Sequence, residues 1–131
     1  MHPSADNGVA ALATHWAIRR YVAETNGPLR ISGVLAASST NGTCGDGTIA
    51  HIIVDGVDVW QRAAFYSTES YSIVVNANLG STIDFAVEAG PNNNDACDAT
   101  FFTAFYKLLA NKISDMTYRV RCFTRCPGKK N

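Results

Sequence analysis

Apolar and polar positions alternate in short runs along this chain, and clusters of Gly, Asn, Asp and Ser interrupt them at short intervals. A period of two predicts strands, because successive side chains of an extended chain point to opposite sides. From 14 to 22 the alternation is imperfect. Trp16, Ile18 and Val22 share one side with Arg20, while Ala17, Arg19 and Tyr21 share the other. After the turn signal Asn26-Gly27-Pro28, Leu29, Ile31, Gly33 and Leu35 alternate cleanly with Arg30, Ser32 and Val34. Thr48 to Val54 and Val57 to Trp60 are joined by Asp55-Gly56, which suits the two positive-φ positions of a type I′ hairpin. Tyr71 to Asn78 and Thr82 to Glu88 predict a second hairpin around Leu79-Gly80-Ser81. The aromatic run from Thr100 to Tyr106 predicts a further strand.

Residues 36–47, 61–70 and 90–95 read as connections. The last 25 residues differ in pattern. Leu108, Leu109, Ile113 and Met116 recur at helical spacing, so 107–116 predicts a short helix, and Tyr118 to Thr124 one more strand. Short strands with frequent turn punctuation predict an all-β fold, an antiparallel β-sandwich of jelly-roll type. The expected division is a β-sandwich module over 1–106 and a C-terminal extension over 107–131.

Composition narrows the function. The 131 residues suit a single domain with a real core. Eleven Lys and Arg balance eleven Asp and Glu, which gives no electrostatic case for nucleic acid or an anionic membrane. No apolar run approaches the roughly 18 residues that cross a bilayer as a helix. Met1 to Asp6 carries neither a basic stretch nor an apolar one, so no signal peptide is read in this chain. The expectation is a mature form, a fragment or a chain exported by another route.

Four cysteines in so short a chain favour an oxidising, extracellular setting. Three pairings are open. We favour Cys44 with Cys97, a long loop whose closure contributes about 4 kcal/mol in the chain-entropy account, and Cys122 with Cys126. A zinc site is disfavoured, because Cys44 and Cys97 have no nearby partner cysteines and the three histidines are scattered.

The order of several short motifs resembles secreted bacterial β-sandwich modules related to carbohydrate-binding jelly rolls. The motifs are His2-Pro3 with a Trp-bearing strand at Trp16, then Leu29 to Gly33. Cys44 to Gly47 feeds a strand ending in Val54 to Gly56, and Gly80 to Val87 and Cys97 to Ala104 follow. The resemblance spans about residues 2 to 106, and the charged, cysteine-bearing tail departs from it. It implies a jelly-roll sandwich and carbohydrate as the ligand.

With Asp55-Gly56 as a two-residue hairpin turn, Val54 pairs with Val57, Ile53 with Asp58, Ile52 with Val59 and His51 with Trp60. One side is then Ala50, Ile52, Val54, Val57 and Val59, a core set, and the other holds His51, Ile53, Asp58 and Trp60. A surface indole stacks on the apolar face of a sugar while polar neighbours bond its hydroxyls, so Trp60, His51 and Asp58 are the expected ligand-binding residues. Burial of Trp60 under a loop or another subunit is the competing expectation, since large aromatics are mostly well buried.

A Cys44–Cys97 bond would bring Asp46 and Asp98 together, and Asp95 and Asn94 could add oxygen ligands for Ca²⁺. Turn capping by the same carboxylates explains them more simply. Otherwise no cofactor is expected. Catalytic signatures are missing: there is no Gly-x-Ser-x-Gly, phosphate loop or His-Glu-x-x-His. Asn41-Gly42-Thr43 is a glycosylation sequon in a loop. Arg19, Arg20 and Arg30 could form a small basic patch, and Phe101, Phe102, Phe105 and Tyr106 suggest burial on both sides of one strand. The expected function is non-catalytic extracellular recognition of carbohydrate. The alternative is a structural subunit assembling with copies of itself through strand edges and aromatic faces.

Overall fold

The computed structural model describes residues 16–37, 46–90 and 99–109, together with the backbone of 117–120. Every regular element among them is a strand. They run β1 (Ala17–Val22), β2 (Gly27–Ala37), β3 (Thr48–Val54), β4 (Val57–Ala64) and β5 (Thr68–Ala77), then β6 (Thr82–Ala89), β7 (Thr100–Phe102), β8 (Ala104–Leu108) and β9 (Thr117–Val120). They form two antiparallel sheets. The first has the order β1-β6-β3-β4. The second has β5-β2-β8-β9, with β7 also paired to β2.

The alternation read from sequence decides which side of each strand is core. Leu29, Ile31 and Leu35 of β2 are buried, as are Ala50, Ile52 and Val54 of β3 and Ile83, Phe85 and Val87 of β6. The two sheets contribute to one hydrophobic cluster. Aromatic rings join them: Phe85 meets Phe102 edge-on with centroids 5.5 Å apart, and Tyr21 stacks on Tyr106 at 4.3 Å. Such pairs add about 0.5–1.5 kcal/mol each beyond the area they bury.

Asp55 and Gly56 both have positive φ, 49° and 83°, as the expected β3–β4 turn requires. The Asp55 carboxylate also accepts from the Thr82 amide and the Ser81 hydroxyl, both at 2.8 Å. Ala23 and Ser81 are joined by a 2.8 Å backbone bond, and the Asn26 side chain accepts from the Leu79 amide at 2.7 Å. Three turns are thus tied together at one end of the sheets.

Several expectations are corrected. Tyr71–Asn78 and Thr82–Glu88 do not form a hairpin: β5 pairs with β2 from Thr68 to Ala77, whereas β6 pairs with β1 and β3. Each strand thereby finds a long partner in a different sheet, and the turn between them passes from one sheet to the other. The expected 61–70 connection is mostly strand, because β4 continues to Ala64 and β5 begins at Thr68. Lys107 and Leu108 belong to β8 rather than to a helix, and β8 therefore runs across the expected boundary at 106/107. Residues 110–116 lie outside the described residues. Thr117–Val120 pairs with β8, and 121–124 again lie outside.

The 100–108 aromatic run is interrupted at Thr103, yet β2 keeps one register on both sides, with Leu35 opposite Phe102 and Ile31 opposite Tyr106. Phe102 and Tyr106 are core. Phe101 is exposed and Phe105 half-buried, so the strand is not buried on both sides. Arg19 and Arg20 point to opposite sides of β1 and Arg30 lies in the other sheet, which dissolves the expected basic patch.

Candidate functional site

The β3–β4 ladder decides where the candidate ligand residues lie. Val54 pairs with Val57 and Ile53 with Asp58, but Ile52 pairs with Trp60 and His51 with Gln61. Val59 is an extra residue on β4, a β-bulge. Beyond it every side chain changes sides. The expected His51–Trp60 pairing is therefore corrected. Trp60 lies on the core side with Ile52, tilted against Tyr71 at 4.9 Å and Phe102 at 6.0 Å. Val57 and Val59, expected in the core, are 63% and 44% exposed. Burying an indole against two aromatic rings gains more than burying Val59 would, since apolar burial contributes about 25 cal/mol per Å².

His51 and Asp58 do meet. His51 points to the outer side of the first sheet, away from the core, yet is only 4% exposed. Its Nδ1 lies 2.6 Å from Asp58 Oδ2 on β4, and its Nε2 lies 2.9 Å from Glu88 Oε1 on β6. The ring is thus bracketed by carboxylates from the strands on either side. Both nitrogens donate only when the ring carries two protons, because an ionised carboxylate is purely an acceptor. A ring with one proton would turn a nitrogen lone pair toward a carboxylate oxygen.

Trp16 supplies the cover. It directly precedes β1, and its ring stacks on His51 with centroids 4.7 Å apart and planes 17° from parallel. The indole remains 41% exposed. An imidazolium in that position is a cation against an aromatic face, an attractive arrangement. The outer side of this sheet therefore presents an exposed indole fixed from below, beside the partly exposed carboxylates of Asp58 and Glu88. Farther along the same side, Arg20 makes a two-pronged ion pair with Asp84, both contacts 2.7 Å. Asp84 holds the Arg20 guanidinium above its ordinary range through hydrogen bonding and charge attraction.

Sequence reading missed Trp16 and Glu88 as partners of His51. Trp16 shares its side with Ile18, Arg20 and Val22, which was a usable signal, but the strand beside β1 is β6, 60 residues and more away in several pairings (Arg20 with Asp84, for instance). No local pattern encodes that register.

Of the candidate calcium ligands, Asp95, Asp98 and Asn94 lie outside the described residues, as do Cys44, Cys97, Cys122, Cys126 and Asn41. Asp46 is half-buried, and Gly90 approaches it so closely that a Cβ there would fall 2.7 Å from its carboxylate. Among the described residues no group of three or more His, Cys, Asp and Glu is arranged to hold a metal ion. No helix there is long and apolar enough to cross a membrane. Comparison with protein-family models, with curated proteins and with solved structures finds no match.

Proposed function

We propose that this chain is a non-catalytic extracellular recognition module of jelly-roll sandwich type, and that it binds carbohydrate on the outer side of the β1-β6-β3-β4 sheet. One observation carries the reading: an exposed indole, Trp16, is held flat on a buried histidine and flanked by carboxylates. A rigid aromatic plane offers stacking area to a pyranose at little entropic cost, and the carboxylate oxygens accept from its hydroxyls. Trp16 thereby takes the role first expected of Trp60. The motif order supports the same ligand class by resemblance.

The test is binding to a glycan array and to immobilised polysaccharides, with Trp16→Ala and Trp60→Phe as variants. Trp16→Ala is expected to weaken binding by about tenfold or more while the melting temperature stays close to that of the parent. Trp60→Phe should leave binding intact. Absence of binding to every glycan, or binding indifferent to Trp16→Ala, overturns the proposal.

Assembly with copies of itself is the second reading, favoured by the exposed Ile18 and Val22 on β1, an edge strand of the first sheet. Light scattering of the purified chain decides it: a monomer at all concentrations removes this reading.

A further inference from the structure

We propose that His51 is a proton-operated latch on Trp16, so that the outer aromatic platform is held when the imidazole is doubly protonated and released when it loses a proton. The inference rests on the recognition reading for its consequence, but the latch itself is a property of the fold and is tested without any glycan.

Three separate parts of the chain converge on one ring. Asp58 comes from β4 at 2.6 Å, Glu88 from β6 at 2.9 Å, and Trp16 from the segment entering β1 at a 4.7 Å stack. Among the described residues these are the charged and aromatic groups that face His51 from the elements packed around it. On its own strand the outward neighbours are Ile49 and Ile53, both apolar. The nearby Asp84 is engaged by Arg20. With two protons the ring donates to both carboxylates and presents a cation to the indole, so all three contacts are attractive together. With one proton, one carboxylate faces a lone pair and the cation is gone. A neutral ring then retains one donor bond and a weaker stack, while the imidazole itself stays almost out of reach of solvent. The device suits a module that holds its ligand while the imidazole carries two protons and releases it when one is lost.

The test is a pH titration of the unmodified protein by nuclear magnetic resonance. It follows the His51 ring nitrogens by long-range correlation and the two indole N–H resonances. The expected result is a single-proton transition of His51, with the Trp16 indole moving at the same midpoint and the Trp60 indole unmoved. Glu88→Gln and Asp58→Asn should displace the midpoint for His51 and Trp16 together. A His51 that keeps one protonated nitrogen throughout the folded range, or that titrates while Trp16 stays still, overturns the latch. Glycan binding measured across the same range separates the two claims. A common transition without any glycan binding keeps the latch and removes the recognition reading. Binding that ignores the transition confines the latch to structure and overturns its regulatory role.

Discussion

The phenol of Tyr71 donates a 2.7 Å hydrogen bond to the carbonyl of Thr103, the residue at which β7 gives way to β8. The same carbonyl passes so close to Gly33 that a Cβ there would lie 1.8 Å from it. Tyr71→Phe should lower stability by about 1 kcal/mol, the usual worth of one hydrogen bond. Gly33→Ala should cost more, about 2–3 kcal/mol, because backbone must move to admit the methyl group. Urea midpoints compare the two, and Gly33→Ala equal to the parent would contradict the close approach.

Val59 is the extra residue of β4, so deleting it leaves Ile52 opposite Trp60 in an uninterrupted ladder and keeps the indole on the core side. The expected result is an unfolding midpoint within about 1 kcal/mol of the parent and an unchanged tryptophan emission maximum. A red-shifted emission with a loss of about 3 kcal/mol, comparable to truncating a buried aromatic, would show that the bulge itself is needed to seat Trp60 against Tyr71 and Phe102.

Asp55 can be split into its two roles by substitution. Asp55→Gly keeps the positive φ and loses the bonds to Ser81 and Thr82, whereas Asp55→Ala loses both advantages. Thermal melting should place Asp55→Gly between the parent and Asp55→Ala, with a spread of about 1–2 kcal/mol. Equal melting of the two variants would mean that φ at this position is unstrained.

Asp84 is well buried while Arg20 is open to water, so the pair is asymmetric. Arg20→Ala leaves a buried carboxylate without its guanidinium and should lower the denaturation midpoint. Adding Asp84→Ala to it should restore part of the loss, since the stranded charge is then gone. A double variant less stable than Arg20→Ala would reverse that account.

Phe102 is the ring on which Trp60, Tyr71 and Phe85 converge, and it is almost fully buried. Phe102→Ala is expected to cost about 3–5 kcal/mol by denaturant titration. A cost below about 1 kcal/mol would place the ring outside the true core.

The legible part of this fold is the local part. Leu29, Ile31 and Leu35 announce a strand with one buried side, and Asp55-Gly56 announces its turn type, because both signals are carried by neighbouring residues. The side on which Trp60 falls depends on one inserted residue, whose preference is set by Tyr71 and Phe102 across the core. The same holds for Leu79-Gly80-Ser81. A turn between strands reads alike whether it closes a hairpin or carries the chain to another sheet, and only the distant partners β2, β1 and β3 distinguish the cases. His51 and Asp58 meet within one hairpin, where the pairing partners are close in sequence. Glu88 and Trp16 reach His51 through the β3–β6 and β1–β6 pairings, which nothing local specifies. The four cysteines, Asn41, Asp95 and Asp98 fall in segments outside the described residues, whereas Asp46 lies within them.

The passage of the chain from sheet to sheet also bears on how fast the protein can assemble. Of the described pairings, β1 with β6, β2 with β5 and β2 with β8 join segments far apart in sequence, whereas β3 with β4 closes over a two-residue turn. Distant ladders cannot return energy until a long loop has closed, so folding belongs to the slow class, on the order of milliseconds to seconds. The β3–β4 hairpin is the part able to form first, on the order of microseconds. It carries Val59, Trp60 and His51, but Tyr71 and Phe102 arrive only with β5 and β7, so the side on which the indole settles is fixed late, after its own hairpin has closed.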